Sequence, residues 1–137
     1  MIQTGLDVLL RNTGRVHGKK IALIVNHTSV GCNLSHSWNL LKEKNVSIER
    51  IFSPEHGLFG TEQDQVPVGK QADPGIPVIS LYGESEVSLV PSPGMFAGLD
   101  AVMFDIQDVG SRYYTYLNTM IYFMKALHGS GIIFIVL

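Results

Sequence analysis

The sequence lacks the features that mark several large classes of protein. It has one cysteine, Cys32, which excludes an internal disulfide framework and a cysteine-based zinc site. Its longest apolar run, 132–137, is far shorter than the roughly 20 residues that a membrane-spanning helix needs. Ten Lys and Arg residues stand against twelve Asp and Glu residues, with a net charge of −2. We therefore expect no basic surface for nucleic acid or for an anionic membrane.

Cofactor fingerprints are lacking as well. The turn after the first predicted strand, 26–31, reads Asn-His-Thr-Ser-Val-Gly, which matches neither the glycine-rich dinucleotide pattern nor the P-loop. No G-x-S-x-G motif supplies a hydrolase serine. We therefore expect no nucleotide and no other cofactor. A metal site could be formed by His27, Glu55, His56 and Asp105. The spacing of these residues matches no known ligand pattern, so no metal is expected.

The sequence does carry enough apolar residues for a folded core. With 45% hydrophobic and 16% charged residues, it does not have the composition of a disordered chain, and residues 1–137 suit one domain. Strands are predicted at 20–25, 47–52, 77–81, 101–104 and 132–137. Helices are predicted at 4–12, 35–45, 92–98 and 111–128. This alternation predicts an α/β fold with a mostly parallel, five-stranded sheet and flanking helices.

Two segments carry more specific expectations. In the longest predicted helix, five apolar residues at helical spacing are expected to form the buried face, namely Leu117, Met120, Ile121, Met124 and Leu127. The irregular stretch from Leu58 to about Gly75 is long for a loop in a compact domain, which favours a functional role. We expect this loop to be mobile without ligand and to cover the site.

Polar residues cluster where the predicted strands end. Because the carboxyl ends of parallel strands lie along one edge of a sheet, residues spread along the chain should converge there. The clusters are Asn26-His27-Thr28, Glu55-His56, Tyr82 and the segment from Asp105 to Arg112. The sequence therefore predicts one ligand site at this edge.

The segment Pro54-Glu55-His56-Gly57 is the sharpest of these features. A glutamate at a strand end that is partly shielded from water could serve as a general acid. A solvated loop glutamate with His56 packed nearby explains the same pattern, and the two interpretations have about equal weight.

The second feature is the segment from Phe104 to Tyr116, which places carboxylates, an amide, a guanidinium and tyrosines across a strand-to-helix turn. Tyrosine rings offer flat surfaces to sugars, and the polar groups can hydrogen-bond hydroxyl and acyl groups. A structural interpretation has Asp108 capping the next helix and Arg112 pairing with it. The candidate binding residues here are Gln107, Arg112, Tyr113 and Tyr116. His27, as a lone histidine at a strand end, is more often structural than catalytic.

These blocks, in this order, resemble the N-terminal domain of the NamZ family of exo-acting β-N-acetylmuramidases. The resemblance covers nearly the whole chain. It rests on the segments Gly5-Leu6-Asp7-Val8-Leu9, Ile24-Val25-Asn26-His27-Thr28, Phe52-Ser53-Pro54-Glu55-His56-Gly57-Leu58-Phe59-Gly60, Ser80-Leu81-Tyr82-Gly83 and Phe104 to Tyr116. It implies a Rossmann-like domain without a nucleotide, and hydrolysis of terminal N-acetylmuramic acid from the non-reducing end of peptidoglycan glycan or muropeptide fragments.

The resemblance also implies that Glu55 is the catalytic residue, as the general acid. Glycoside hydrolysis usually uses two carboxyl groups, about 5–5.5 Å apart for retention of configuration and about 6.5–9.5 Å apart for inversion. Asp105 or Asp108 is the candidate partner, and either could instead orient the N-acetyl group in a substrate-assisted route. The further residues expected to bind substrate are Asn26, His27, His56 and Tyr82.

The family pattern departs from this sequence in two places. His27 stands where the family often has another polar residue, and the family continues past the last strand into a second, C-terminal domain. We therefore expect a truncated chain whose cleft is incomplete. Two alternatives to a glycosidase domain stay open, namely a non-catalytic sugar-binding remnant and a small-molecule binding module unrelated to the cell wall. No signal peptide is visible, so the expected location is cytoplasmic, or periplasmic or secreted if a leader precedes Met1.

Overall fold

The fold is a parallel β-sheet with helices packed against it. The computed structural model describes residues 2–60, 75–81 and 89–137. Its strands are β1 (Lys20–Val25), β2 (Ser47–Ser53), β3 (Val78–Ser80), β4 (Ala101–Asp105) and β5 (Ile133–Val136). Its helices are α1 (Gly5–Arg11), α2 (Ser37–Glu43) and α3 (Tyr116–Leu127), with short 3₁₀ turns at Thr13–Arg15 and Pro93–Phe96.

The strands form one sheet in the order β3-β2-β1-β4-β5, and each neighbouring pair is parallel. The chain builds outward from β1 to β3 and then returns to the other side of β1 with β4 and β5. This is the Rossmann-like order, and the direction of winding reverses between β1 and β4. The predicted fold class, a five-stranded parallel α/β sheet, is confirmed.

The central strands β1 and β4 are apolar along most of their length, which suits strands that are covered on both faces. On one face, Leu23 of β1 and Met103 of β4 belong to the same buried cluster as Trp38 and Leu41 of α2. On the other face, Phe52 of β2 packs edge-on against Phe123 of α3 with ring centroids 5.0 Å apart. The sheet edge that carries the polar clusters is therefore held by a two-sided core.

The predicted helix at 111–128 is shorter in the structure, because α3 begins only at Tyr116. Its buried residues are Tyr116, Thr119, Phe123 and Leu127. The predicted buried face is therefore wrong for Leu117, Ile121 and Met124, which are exposed. Two apolar stripes lie side by side on this helix, and the stripe that contains Phe123 faces the sheet.

Two further predictions about elements need correction. Residues 92–98 contain a 3₁₀ turn, Pro93–Phe96, in place of the predicted helix. Among the described strands, the last one lies at the edge of the sheet and pairs with β4. Ile133 and Val136 are consequently 47% and 58% exposed, although a continuous apolar run such as 132–137 is typical of a buried parallel strand.

Parts of two expectations fall outside the described residues. The long irregular stretch after Glu55 includes 61–74, and Tyr82 belongs to 82–88; neither segment is described. Within the described ranges, no helix combines the length and apolarity needed to cross a membrane.

Candidate functional site

Two cavities open where the carboxyl ends of β1 and β4 meet. The first has a volume of about 300 Å³, and its wall includes His27, Thr28, His56, Gln107, Tyr114 and Tyr116. The second has a volume of about 570 Å³, and its wall includes Asp108, Arg112, Tyr114, Tyr116, Leu117 and Met120. Both volumes are in the range of small-molecule sites. The predicted convergence of polar residues at this edge is therefore observed for most of the named residues.

Tyr114 and Tyr116 separate the two cavities. Their rings are stacked, with centroids 5.5 Å apart and planes inclined by 18°, and both residues line both cavities. Tyr116 is buried as the first residue of α3, whereas Tyr114 is 39% exposed. The two cavities therefore share an aromatic wall, which a ligand in either cavity would contact.

Glu55 lies in the tight turn that follows β2. The turn needs left-handed backbone at His56 (φ 66°) and Gly57 (φ 76°), a conformation that glycine adopts without a steric penalty. The Glu55 side chain is 8% exposed, and its Oε2 accepts a hydrogen bond of 2.7 Å from the hydroxyl of Thr115. The carboxylate is thereby fixed to the start of α3, next to the tyrosine wall.

A hydrogen-bond network joins the ends of β1 and β4. The Asn26 side-chain oxygen accepts from the Thr28 N–H at 2.9 Å and from the Thr28 hydroxyl at 2.7 Å. The Thr28 hydroxyl oxygen in turn accepts from the Gln107 N–H at 3.0 Å. Beneath them, the Ser29 hydroxyl donates to the Asp105 carbonyl oxygen. The polar wall of the first cavity is therefore rigid before any ligand binds.

The pKa of the Tyr116 phenol is affected by the charges of Glu55 and Asp108. Burial is the largest cause that raises the pKa of Tyr116, and the negative charges of Tyr114, Glu55 and Asp108 raise it further, while the side-chain amide of Asn26 opposes the shift. Tyr116 therefore keeps its proton around neutral pH and can donate it in a hydrogen bond.

The two aspartates that were predicted as partners of Glu55 lie in different environments. Asp105 is 2% exposed, and its Oδ2 has no hydrogen-bond partner. Burial raises the pKa of Asp105, an effect that exceeds the opposing influence of the Ser37 hydroxyl. Asp108 is exposed, accepts a hydrogen bond of 2.6 Å from the Gly110 N–H, and lines the second cavity. Among the described residues, Asp105 lines neither of the two cavities.

An aromatic cluster supports the turn that carries Glu55. His36 stacks on Trp38, with centroids 4.1 Å apart, and meets Phe59 edge-on at 5.9 Å. Burial lowers the pKa of His36, and the charge of His27 lowers it further. Next to Phe59, Gly60 approaches His27 so closely that an added Cβ would lie 2.5 Å from its Nδ1. These contacts position His27 at the mouth of the first cavity.

Several binding predictions can be placed individually. His27, His56, Gln107 and Tyr116 line the first cavity, and Arg112 lines the second. Asn26 is buried behind the first cavity. Tyr113 is 78% exposed and contacts Tyr114 edge-on, with centroids 6.1 Å apart.

Sequence reasoning did not single out three residues of the site, which are Thr28, Tyr114 and Thr115. Thr28 and Tyr114 line the first cavity, and Thr115 holds Glu55. All three lie inside polar segments that were recognised, and their position beside a named candidate was the available signal. Across 2–60, 75–81 and 89–137, no group of three or more His, Cys, Asp or Glu residues is arranged to hold a metal ion.

Comparison with known proteins identifies the family to which this chain is similar. Residues 21–137 match the family described as "Exo-beta-N-acetylmuramidase NamZ, N-terminal". The chain is 43% identical over 140 aligned positions to the peptidoglycan beta-N-acetylmuramidase NamZ of Bacillus subtilis, covering 99% of this chain and 33% of that protein.

Solved structures agree with this comparison. Two crystal structures of DUF1343 family proteins from Bacteroides fragilis match with TM-scores of 0.83 and 0.74 and identities of 36% and 32%. The matches cover 98% and 97% of this chain, and 34% and 33% of the other chains. This chain therefore spans about a third of the length of the relatives that it matches.

Proposed function

The chain belongs to the NamZ family and matches the N-terminal part of it. On that basis we propose that the described sheet edge binds N-acetylmuramic acid. In this proposal, the ligand is the terminal residue at the non-reducing end of a peptidoglycan glycan fragment. Glu55 acts as the general acid that protonates the leaving oxygen. The proposal treats residues 1–137 as one Rossmann-like unit of the glycosidase.

The setting of Glu55 carries the proposal. The carboxylate is almost fully buried and held by the Thr115 hydroxyl at 2.7 Å. The next residue along the chain, His56, lines the first cavity together with the two stacked tyrosines. A general acid needs partial shielding from water, a fixed orientation and a place for the substrate beside it. Glu55 meets all three conditions.

The surroundings of the aspartates favour Asp108 over Asp105 as the second carboxylate. Asp108 lines a cavity and acts on the same phenol, Tyr116, as Glu55 does. Asp105 is buried beside Ser37 and, like Glu55, is not among the residues that line the two cavities. Asp108 is therefore assigned either to activate the attacking group or to orient the N-acetyl group of the substrate.

The remaining polar groups are assigned to binding. Gln107, His27 and His56 can hydrogen-bond hydroxyl groups of the sugar, and the rings of Tyr114 and Tyr116 offer a flat apolar surface for the faces of the pyranose ring. Because this chain spans about a third of its relatives, the proposal includes a contribution from the remaining part of such proteins to the cleft.

The proposal is tested by hydrolysis of a chromogenic β-N-acetylmuraminide. The chain is assayed alone and as a fusion in which it replaces the matching third of the Bacillus subtilis relative. Release of the chromophore by either protein, together with loss of release in the Glu55→Gln variant, supports the proposal. No release by a well-folded fusion, or release that survives Glu55→Gln, contradicts it.

A second candidate function is glycan binding without catalysis. It is favoured by the exposure of Asp108 and Arg112. If the chain alone binds N-acetylmuramic acid but only the fusion cleaves the substrate, the isolated chain is a binding module of this kind.

A further inference from the structure

The second cavity contains a cation, Arg112, for which the described residues provide no partner. Arg112 is exposed and lines the cavity, and within the described part of the chain it makes no hydrogen bond and no ion pair. The obvious partner, Asp108, lines the same cavity four residues earlier, but its Oδ1 accepts from the Gly110 N–H at 2.6 Å. The structural interpretation of this segment, in which Arg112 pairs with Asp108, is not observed among the described residues.

The rest of this wall is largely apolar. Phe104, Leu117 and Met120 contribute to it together with the rings of Tyr114 and Tyr116. A free guanidinium beside an apolar surface suits a small group that carries both a carboxylate and a methyl group, because arginine binds a carboxylate through two parallel hydrogen bonds.

N-acetylmuramic acid carries such a group. It differs from N-acetylglucosamine by a lactyl ether on O3, which adds one carboxylate and one methyl group. Since the two cavities share the wall formed by Tyr114 and Tyr116, a sugar ring held in the first cavity can extend its O3 substituent toward the second.

We propose that Arg112 binds the lactyl carboxylate and is thereby the residue that selects N-acetylmuramic acid over N-acetylglucosamine. This inference rests on the proposed function and adds a division of roles to it. The first cavity holds the ring next to Glu55, and the second reads the substituent by which the two amino sugars differ. The methyl group of the lactyl ether packs against Leu117 and Met120.

The test compares three ligands by NMR titration of the chain. The ligands are free N-acetylmuramic acid, its methyl ester, in which the carboxylate charge is removed, and N-acetylglucosamine. The variants are Arg112→Gln, which removes the charge, and Arg112→Lys, which keeps the charge but loses the planar fork. The matched control is Arg15→Gln, since Arg15 is also exposed and lines a different, apolar cavity beside β5. Amide spectra of each variant report whether the fold is intact.

We expect the unmodified chain to bind the free acid about tenfold more tightly than the ester or N-acetylglucosamine, the effect of one charge-assisted interaction. Arg112→Gln should reduce this preference to less than about twofold, Arg112→Lys should keep part of it, and Arg15→Gln should leave it unchanged. Equal binding of acid and ester, or a preference that survives Arg112→Gln, overturns the inference and leaves the proposed function standing. Binding of none of the three ligands overturns the proposed function, and the inference with it.

Discussion

The two cavities at the sheet edge differ in how their polar groups are held. Beside the first, side chains are fixed by hydrogen bonds that reach across the fold, from Thr115 to Glu55 and from Asn26 through Thr28 to Gln107. In the second, Arg112 lies in an exposed segment beside an apolar wall, and no residue in the described ranges pairs with it.

This difference corresponds to two kinds of task. A catalytic acid benefits from pre-organisation, because fixed groups need no rearrangement during the reaction. A group that recognises a charged substituent gains most when its own hydrogen-bonding capacity is unused before binding, since no internal ion pair has to be broken. The structure therefore favours catalysis in the first cavity and substrate selection in the second.

Replacing the proposed general acid, Glu55, should have the largest effect on this contrast between the two cavities. Glu55→Gln keeps the shape of the side chain but has no proton to donate, so turnover of the chromogenic substrate by the active protein should fall by at least about 100-fold. Affinity for N-acetylmuramic acid should change little. Steady-state kinetics and titration measure the two effects, and near-normal kcat in this variant would remove Glu55 from its assigned role.

The pre-organisation of the first cavity can be tested at Thr115. Thr115→Val removes the hydroxyl that donates to Glu55, and kcat should fall roughly tenfold, the scale of one hydrogen bond to a charged group. Thr115→Ser retains the hydroxyl and should stay within about twofold of the parent. If valine and serine behave alike, the hydrogen bond has no catalytic role.

The position of His27 depends on the missing side chain at Gly60. Gly60→Ala would place a Cβ within 2.5 Å of His27 Nδ1, at a φ of +68°. Gly98→Ala is the matched control, because Gly98 has a similar φ of +76° and no atom within 4 Å. Both variants should lose about 1–2 kcal/mol of stability through backbone strain, but only Gly60→Ala should weaken sugar binding. Equal binding by the two would show that His27 does not contribute.

The smallest expected effect is on stability, on replacement of Asp105, and it tests whether this residue has a structural role. Its pKa is raised by burial in the folded chain, so the folded state holds a proton that the unfolded state loses above about pH 3.9. The free energy of unfolding should therefore fall as the pH rises through this range. Asp105→Asn removes the titration and should be more stable than the parent near neutral pH, by on the order of 1 kcal/mol.

Denaturant unfolding at about pH 4 and about pH 7 measures this difference. Asp108→Asn is the control, since Asp108 is exposed and its replacement should leave the pH dependence as it is. If Asp105→Asn loses stability equally at both pH values, burial of the charge is not what governs this position.

The sheet was predictable because its signals are local. The continuous apolar runs of β1 and β4 identify buried parallel strands, and the helices between strands determine that they pair in parallel. The buried face of α3 was not predictable in the same way. Leu117, Ile121 and Met124 form one apolar stripe, Tyr116 and Phe123 belong to another, and only packing against Phe52 selects the second.

The candidate site was predictable to a similar extent. Parallel strands bring their carboxyl ends together, so the convergence of His27, His56 and Gln107 followed from the order of elements. The hydrogen bond between Thr115 and Glu55 joins positions 60 residues apart, and no sequence spacing encodes it. Asp105 ends β4 and is buried, whereas Asp108 lies in the exposed segment after the strand, and the sequence alone does not define where β4 ends.

The most direct test of this account is an amide NMR map of the chain titrated with N-acetylmuramic acid. Binding at the two cavities predicts shifts that concentrate on Thr28, Gln107, Gly110 and Arg112, with little change along α1. Shifts that concentrate instead on Arg15 and β5, which line the third cavity, or spectra that do not change at all, would contradict the account.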